Sequence, residues 1–184
     1  MENDYLKSAI KQFAYYKSLG EKTFEQLTDE QLCWQFNAES NSIAMIVNHL
    51  SGNMLSRWTD IFTTDGEKPY RNREAEFESA APTRQSILDT WERGWKCLLD
   101  TLNSLTADDL EKIIYIRNQG HTVMEAINRQ LAHYPYHVGQ IVFLGKMMCN
   151  ESWASLSIPR GKSDIYNADK FAHEKRKVHF TDEE

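Results

Sequence analysis

Cysteine is scarce in this chain: Cys33, Cys97 and Cys149 are the only three in 184 residues. An odd number, widely separated and in no CxxC pattern, excludes a disulfide framework and fits reduced thiols, each a small core residue before it is a nucleophile. Long hydrophobic runs are missing too. Nothing approaches the ~18 consecutive apolar residues that a membrane span needs, and Met1-Glu2-Asn3-Asp4 carries acids where a secretory signal carries basic residues. The expected location is the cytoplasm, with no membrane partner. A broad basic field is likewise absent. The 21 Lys and Arg are outnumbered by 27 Asp and Glu, for a formal charge of −6, and the two signs are interleaved, so nucleic acid is not an expected partner. The one basic cluster, Lys175-Arg176-Lys177, is followed by Asp182-Glu183-Glu184 and reads as a solvated terminus.

What is present is ordinary globular composition, 41% apolar and 26% charged, with no low-complexity block, in a chain long enough to close a core as one domain. The period of the apolar residues is helical. Leu6, Ile10, Phe13, Ala14, Phe24 and Leu27 predict a first amphipathic helix from Tyr5 to about Leu27, with Gly20 marking a bend or a shortened first segment. Asn41-Ser42 caps a second helix that runs through Ile43, Ile46, Val47, Leu50, Met54, Trp58 and Phe62 to a stop at Thr64-Asp65-Gly66. Glu67 to Pro82 has no sustained period and predicts a long surface connection, a kind of segment that often carries function. Thr83 caps a third helix bearing Ile87, Leu88, Trp91, Trp95, Leu98 and Leu102.

Ile113 to Ile116 followed by Arg117-Asn118-Gln119-Gly120 predicts a short extended arm and turn across one end of the helices. A fourth helix starts at Thr122 and continues to Met148 with Pro135 inside it, where the lost amide should kink the chain. Leu27-Thr28-Asp29-Glu30-Gln31-Leu32 and Leu105-Thr106-Ala107-Asp108-Asp109-Leu110 echo each other ahead of the second and fourth helices, as two helical hairpins of similar plan would require.

His133 and His137 stand four residues apart, which on a helix puts their Cβ atoms about 6 Å apart on one face, close enough for two imidazoles to meet one ion. Two ligands make a poor site. His49, on the second helix beside its apolar stripe, would complete a three-nitrogen face and leave a position open for water or substrate. Taken singly, each of these histidines is as well explained as surface or satisfied core. Gln140, Asn48 and Asn53 are candidates to support the ligands, and Tyr134, Tyr136 and Arg160 to touch a substrate. His121, His173 and His179 fall outside the pattern, while Trp34, Trp58, Trp91 and Trp95 suit a core or a dimer face.

The two runs that hold these residues, Ile46-Val47-Asn48-His49-Leu50 and His133-Tyr134-Pro135-Tyr136-His137-Val138-Gly139-Gln140-Ile141, resemble the DinB/YfiT-like superfamily of metal-dependent bundle proteins over about residues 1–150. Ser155 to Asn167 is similar to a small uncharacterised bacterial branch of it. The resemblance implies an all-α four-helix bundle, often a homodimer, with a divalent ion at one end on His49, His133 and His137. Zinc or nickel would be expected, or iron, since neutral imidazoles suit all three. Members with assigned activity include transferases that use low-molecular-weight thiols. Pro135 between two ligands and the extra C-terminal segment depart from the simplest pattern.

The expectation is therefore an all-α bundle over residues 1–150, with a short arm before the last main helix, and an irregular extension over 151–184 packed on the bundle. Its function would be that of a divalent-metal-dependent enzyme, a thiol-dependent transferase or hydrolase acting on a small molecule. The alternatives are a non-catalytic metal-binding or dimeric structural protein, and a metal-free interaction module whose histidines pair with carboxylates.

Overall fold

The computed structural model describes residues 4–78 and 82–182. The acids at Glu2, Glu183 and Glu184 and the last part of the long connection lie outside the described residues. What is described is mostly helical: α1 (Asp4–Phe24), α2 (Asp29–Leu32), α3 (Ile43–Trp58), α4 (Arg84–Ser104), α5 (Val123–Cys149) and α6 (Ser163–Phe171), with one hairpin of β1 (Ile113–Ile116) and β2 (Gln119–Thr122). No described helix is long and apolar enough to cross a membrane.

The helix starts lie where the capping residues put them. Ser42, Thr83 and Thr122 each accept a hydrogen bond from the amide three residues on, and Thr122 closes a capping box with Glu125. The two echoed Leu-Thr segments also share a structure: Thr28 with Gln31, and Thr106 with Asp109, each form a capping box on one short turn.

The four long helices pack mainly as α3 on α4 and α1 on α5, with α1 on α4 and α3 on α5 completing the ring of contacts. Inside it lie Phe13, Phe24, Leu50, Met54, Trp58, Trp91, Trp95, Leu98 and Ile141. Burying a side chain of this size stabilises by about 1.5–3 kcal/mol, so the aromatic faces of α1, α3 and α4 hold the assembly together.

Four expectations change in the structure. The first helix runs through Gly20 without interruption, and the glycine is there because a Cβ would stand 2.5 Å from the Trp91 ring. The second helix stops at Trp58 and not at Phe62, because the Trp58 carbonyl is taken by the Thr101 hydroxyl at 2.8 Å and the chain turns back at Asp60, whose φ is 48°.

The extended arm is a two-stranded hairpin, with Ile113 opposite Thr122 and Ile116 opposite Gln119, so Gln119 and Gly120 belong to a strand. Its two-residue turn, Arg117-Asn118, has both residues left-handed at φ 55° and 60°, as a turn matched to strand twist demands. Asp65 holds this turn, its carboxylate accepting from both backbone amides at 2.8 Å. Those amides, with that of Glu67, keep the Asp65 carboxyl below its ordinary range.

The C-terminal segment is not irregular throughout, since it contains α6. It returns to the first helix through Lys11 to Asp182, Ser8 to His179, and the Tyr15 and Phe180 rings at 5.6 Å.

Candidate metal centre

α5 passes Pro135 without a break, so His133 and His137 keep their one-turn spacing and both point towards α3. Proline has no amide, so the carbonyl of Leu131 loses its usual helical partner. Across from them, α3 is so deeply packed that His49 is only 5% exposed. The Nε2 atoms of His49 and His133 are 3.4 Å apart, and those of His137 and His133 are 3.2 Å apart. Among the described residues these three form a group whose ligand atoms all lie within 4.8 Å of one another and could hold a metal ion.

Each imidazole is turned so that its other nitrogen meets an oxygen. His49 Nδ1 lies 2.9 Å from Glu76 Oε2, His133 Nδ1 lies 3.1 Å from Gln130 Oε1, and His137 Nδ1 lies 3.0 Å from Gln140 Oε1. An oxygen there accepts a proton, so each Nδ1 carries the hydrogen and each Nε2 presents a lone pair. Three lone pairs then face one another with no proton among them. That arrangement repels itself, and a shared cation removes the repulsion.

The spacing fits the same reading. Two nitrogens about 2.0–2.1 Å from a tetrahedral ion stand about 3.3–3.4 Å apart, within about 0.2 Å of the 3.4 and 3.2 Å found for two of these pairs. Burial, and then the nearness of His137 and His49, lowers the His133 pKa to about 4, and burial lowers that of His137, so both are neutral at pH 7 as ligands must be.

Sequence reasoning found the three candidate ligands but not the group that orients His49. Glu76, on a 3-10 turn (Glu74–Phe77) of the long connection, packs against α3 with Arg71, which grips its carboxylate in a bidentate pair at 2.7 and 2.9 Å. Both are buried. Burial works to raise the Glu76 carboxyl, but the hydrogen bonds from His49 and Arg71 outweigh it and hold it below the usual range.

Phe77 lies against the His49 ring at 4.9 Å, so the connection expected to carry function closes one side of the site. Gln130, buried at 2% exposure, was also missed. The one sequence signal for the Glu76 contact is Gly52 in mid-helix, where a Cβ would stand 2.9 Å from Glu76 Cδ.

The other sequence candidates separate cleanly. Gln140 supports His137 through its side-chain oxygen. Tyr136 and Asn53 line the cavity of about 570 Å³ into which the three histidines face. Tyr134 is wholly buried, its hydroxyl accepting from Trp58 Nε1 at 3.0 Å and donating to Asn53 Oδ1 at 3.1 Å, so it is a packing residue whose pKa burial pushes far up. Asn48 and Arg160 do not line this cavity, nor do His121, His173 and His179. Trp58, Trp91 and Trp95 are core, and Trp34 is 39% exposed beside Phe36.

Compared with curated proteins, the chain has no match. Residues 1–162, which contain the three histidines and every group that orients one, match the profile of a family described as proteins of unknown function, and the chain belongs to that family, DUF1572.

Proposed function

We propose that this protein is a divalent-metal-dependent enzyme of the DinB/YfiT type, with a four-helix bundle over residues 1–150 and its ion on His49, His133 and His137. The ring of contacts among α1, α3, α4 and α5 supports the bundle, and three facing Nε2 lone pairs, each fixed by an oxygen behind the ring, are the single observation that carries the metal. Zinc or nickel suits an all-imidazole set, and so does iron.

A bound divalent ion would lower the pKa of a water or thiol beside it, so that a nucleophile exists at neutral pH. The chain's own residues divide the remaining work. The three histidines form one face and leave the cavity side open to a small molecule, for which we propose a transferase or hydrolase reaction with a low-molecular-weight thiol among the substrates. Glu76, Gln130 and Gln140 hold the imidazole tautomers, and Phe77 shields His49 from water.

As a second reading, a non-catalytic homodimer draws support from Tyr136, Phe143 and Met147, exposed seven and eleven residues apart along one side of α5, where a second copy would pack.

Elemental analysis of untagged protein purified without chelator, beside His49→Ala and His137→Ala, tests the centre. Near one ion per chain, lost in both variants, is the expected result. No ion in the wild type even after metal titration would end the metal reading and leave the histidines as a packed cluster.

A further inference from the structure

The cavity over the three imidazoles is cationic in an anionic protein. Arg57, Arg71, Arg73, Arg117 and Arg129 all line it, and among the described residues no Asp or Glu does, although the whole chain carries −6. These five come from α3, the long connection, the hairpin tip and α5, so no single basic stretch of sequence announces them.

The carboxylates that touch them answer only some of the charge. Glu67 takes Arg57 at 3.1 Å and Arg117 at 2.9 Å, and Glu76 takes Arg71. Arg73 has only Glu74, 3.5 Å away and 87% exposed, a pair that water screens almost completely. Arg129 has no carboxylate partner among the described residues. A cleft lined by one sign of charge concentrates ligands of the other sign, and a bound divalent ion would add to the same field.

Arg117 is also placed at a cost. It sits in a left-handed turn that favours glycine or asparagine, held there by Asp65, with its side chain in the cavity wall.

Resting on the metal-centre reading, we propose that the substrate is a small organic anion whose carboxylate or phosphate is received by Arg73 and Arg129, while its reacting group lies over the three histidines. The planar guanidinium fork suits either oxyanion. A cavity of about 570 Å³ accommodates a molecule of metabolite size. Arg57, Arg71 and Arg117, already engaged by Glu67 and Glu76, supply field and wall but leave the contact itself to Arg129 and to Arg73, whose guanidinium lies 5.4 Å over the Phe77 ring with only the exposed Glu74 as a carboxylate.

The test is calorimetric titration of zinc-loaded protein with mercaptoacetate and with 2-mercaptoethanol, which share a thiol and differ in charge, in the wild type, Arg73→Gln, Arg129→Gln and the double variant. Mercaptoacetate should bind more tightly than the neutral thiol and lose about tenfold in affinity for each arginine neutralised, the scale of one charge-assisted hydrogen bond. Zinc content and the affinity for 2-mercaptoethanol should not change. Equal binding of the two thiols, or unchanged mercaptoacetate affinity in the double variant, would overturn the proposal.

Succinate and inorganic phosphate, titrated into chelator-treated protein, read the arginines without the ion. The tighter of the two identifies the oxyanion, and binding of neither would overturn the arginine site. A wild type that holds no zinc fails the metal reading alone, because these two titrations still measure the anion site.

Discussion

Glu76 links the candidate metal centre to the fold, and Glu76→Gln separates its two duties. In the wild type its carboxylate meets Arg71, whose side chain is 3% exposed, and His49, while being 9% exposed itself. The amide keeps the shape but removes the charge, leaving the buried guanidinium only the more distant Glu67, at 4.0 Å, as a carboxylate partner. Breaking a buried pair costs about 3–5 kcal/mol, and because the amide oxygen still accepts one hydrogen bond we expect the lower end, about 3 kcal/mol. For a chain of this size about 1 kcal/mol moves Tm by roughly 2–4 °C, so the metal-free variant should melt about 6–12 °C lower.

The second duty is read in the ion. A glutamine can turn its NH2 towards His49 Nδ1, which moves the imidazole proton to Nε2 and points it at the other two ligands, where it competes with the metal. Loss of an orienting carboxylate weakens metal binding about 10–100-fold, measurable by competition with a chromogenic zinc chelator. A variant with the lower Tm and unchanged zinc affinity would show that Glu76 serves Arg71 alone. Unchanged Tm would refute the buried pair.

Gly52→Ala should reach the same centre from α3. Alanine in mid-helix is intrinsically better than glycine by about 1 kcal/mol, but its Cβ enters the space of the Glu76 carboxylate, so zinc affinity in the same competition assay should fall at least several-fold while helix content by circular dichroism is kept. Tyr134→Phe should do the reverse. It strands Trp58 Nε1 inside the core and removes the donor to Asn53 Oδ1 at the cavity wall, at a cost of about 1–3 kcal/mol in urea denaturation, with zinc stoichiometry unchanged. Chelation of the wild type should lower Tm, since free ion at about 100 times its Kd stabilises by about 2.7 kcal/mol. A melting curve unmoved by chelator and by added zinc would count against any ion bound to the native state.

Helices were legible here because their signals are local. Ser42, Thr83 and Thr122 cap the helices that begin at the next residue, and the apolar period of each segment chooses its buried face. Helix ends were less so, because they were decided across the core: Thr101 of α4 ends α3 by taking its last carbonyl, and the Trp91 ring of α4 explains a glycine in α1 that read as a bend. In the site, His133 and His137 could be found because one helix sets their distance. His49 required a facing helix, which the helical pattern allowed but did not fix, and the resemblance of its surrounding run added to that reading.

Apart from Gln130 on α5, the groups around His49 that escaped the sequence share one physical property. Glu76, Arg71 and Phe77 lie in a connection with no period, and charged residues there read as solvated until the fold buries them. Buried charge is tolerated only when paired and hydrogen-bonded, and this pair is stable because its second acceptor contact is to His49. The orienting group and the ligand therefore depend on each other: without Arg71 and Glu76 the first imidazole is free to turn, and without His49 the carboxylate loses one of the contacts that keep it ionised against its burial. The same dependence explains why α3 carries a glycine at position 52. Helix stability alone would favour alanine there, and the space that glycine leaves is filled by the carboxylate that aims His49 at its two partners.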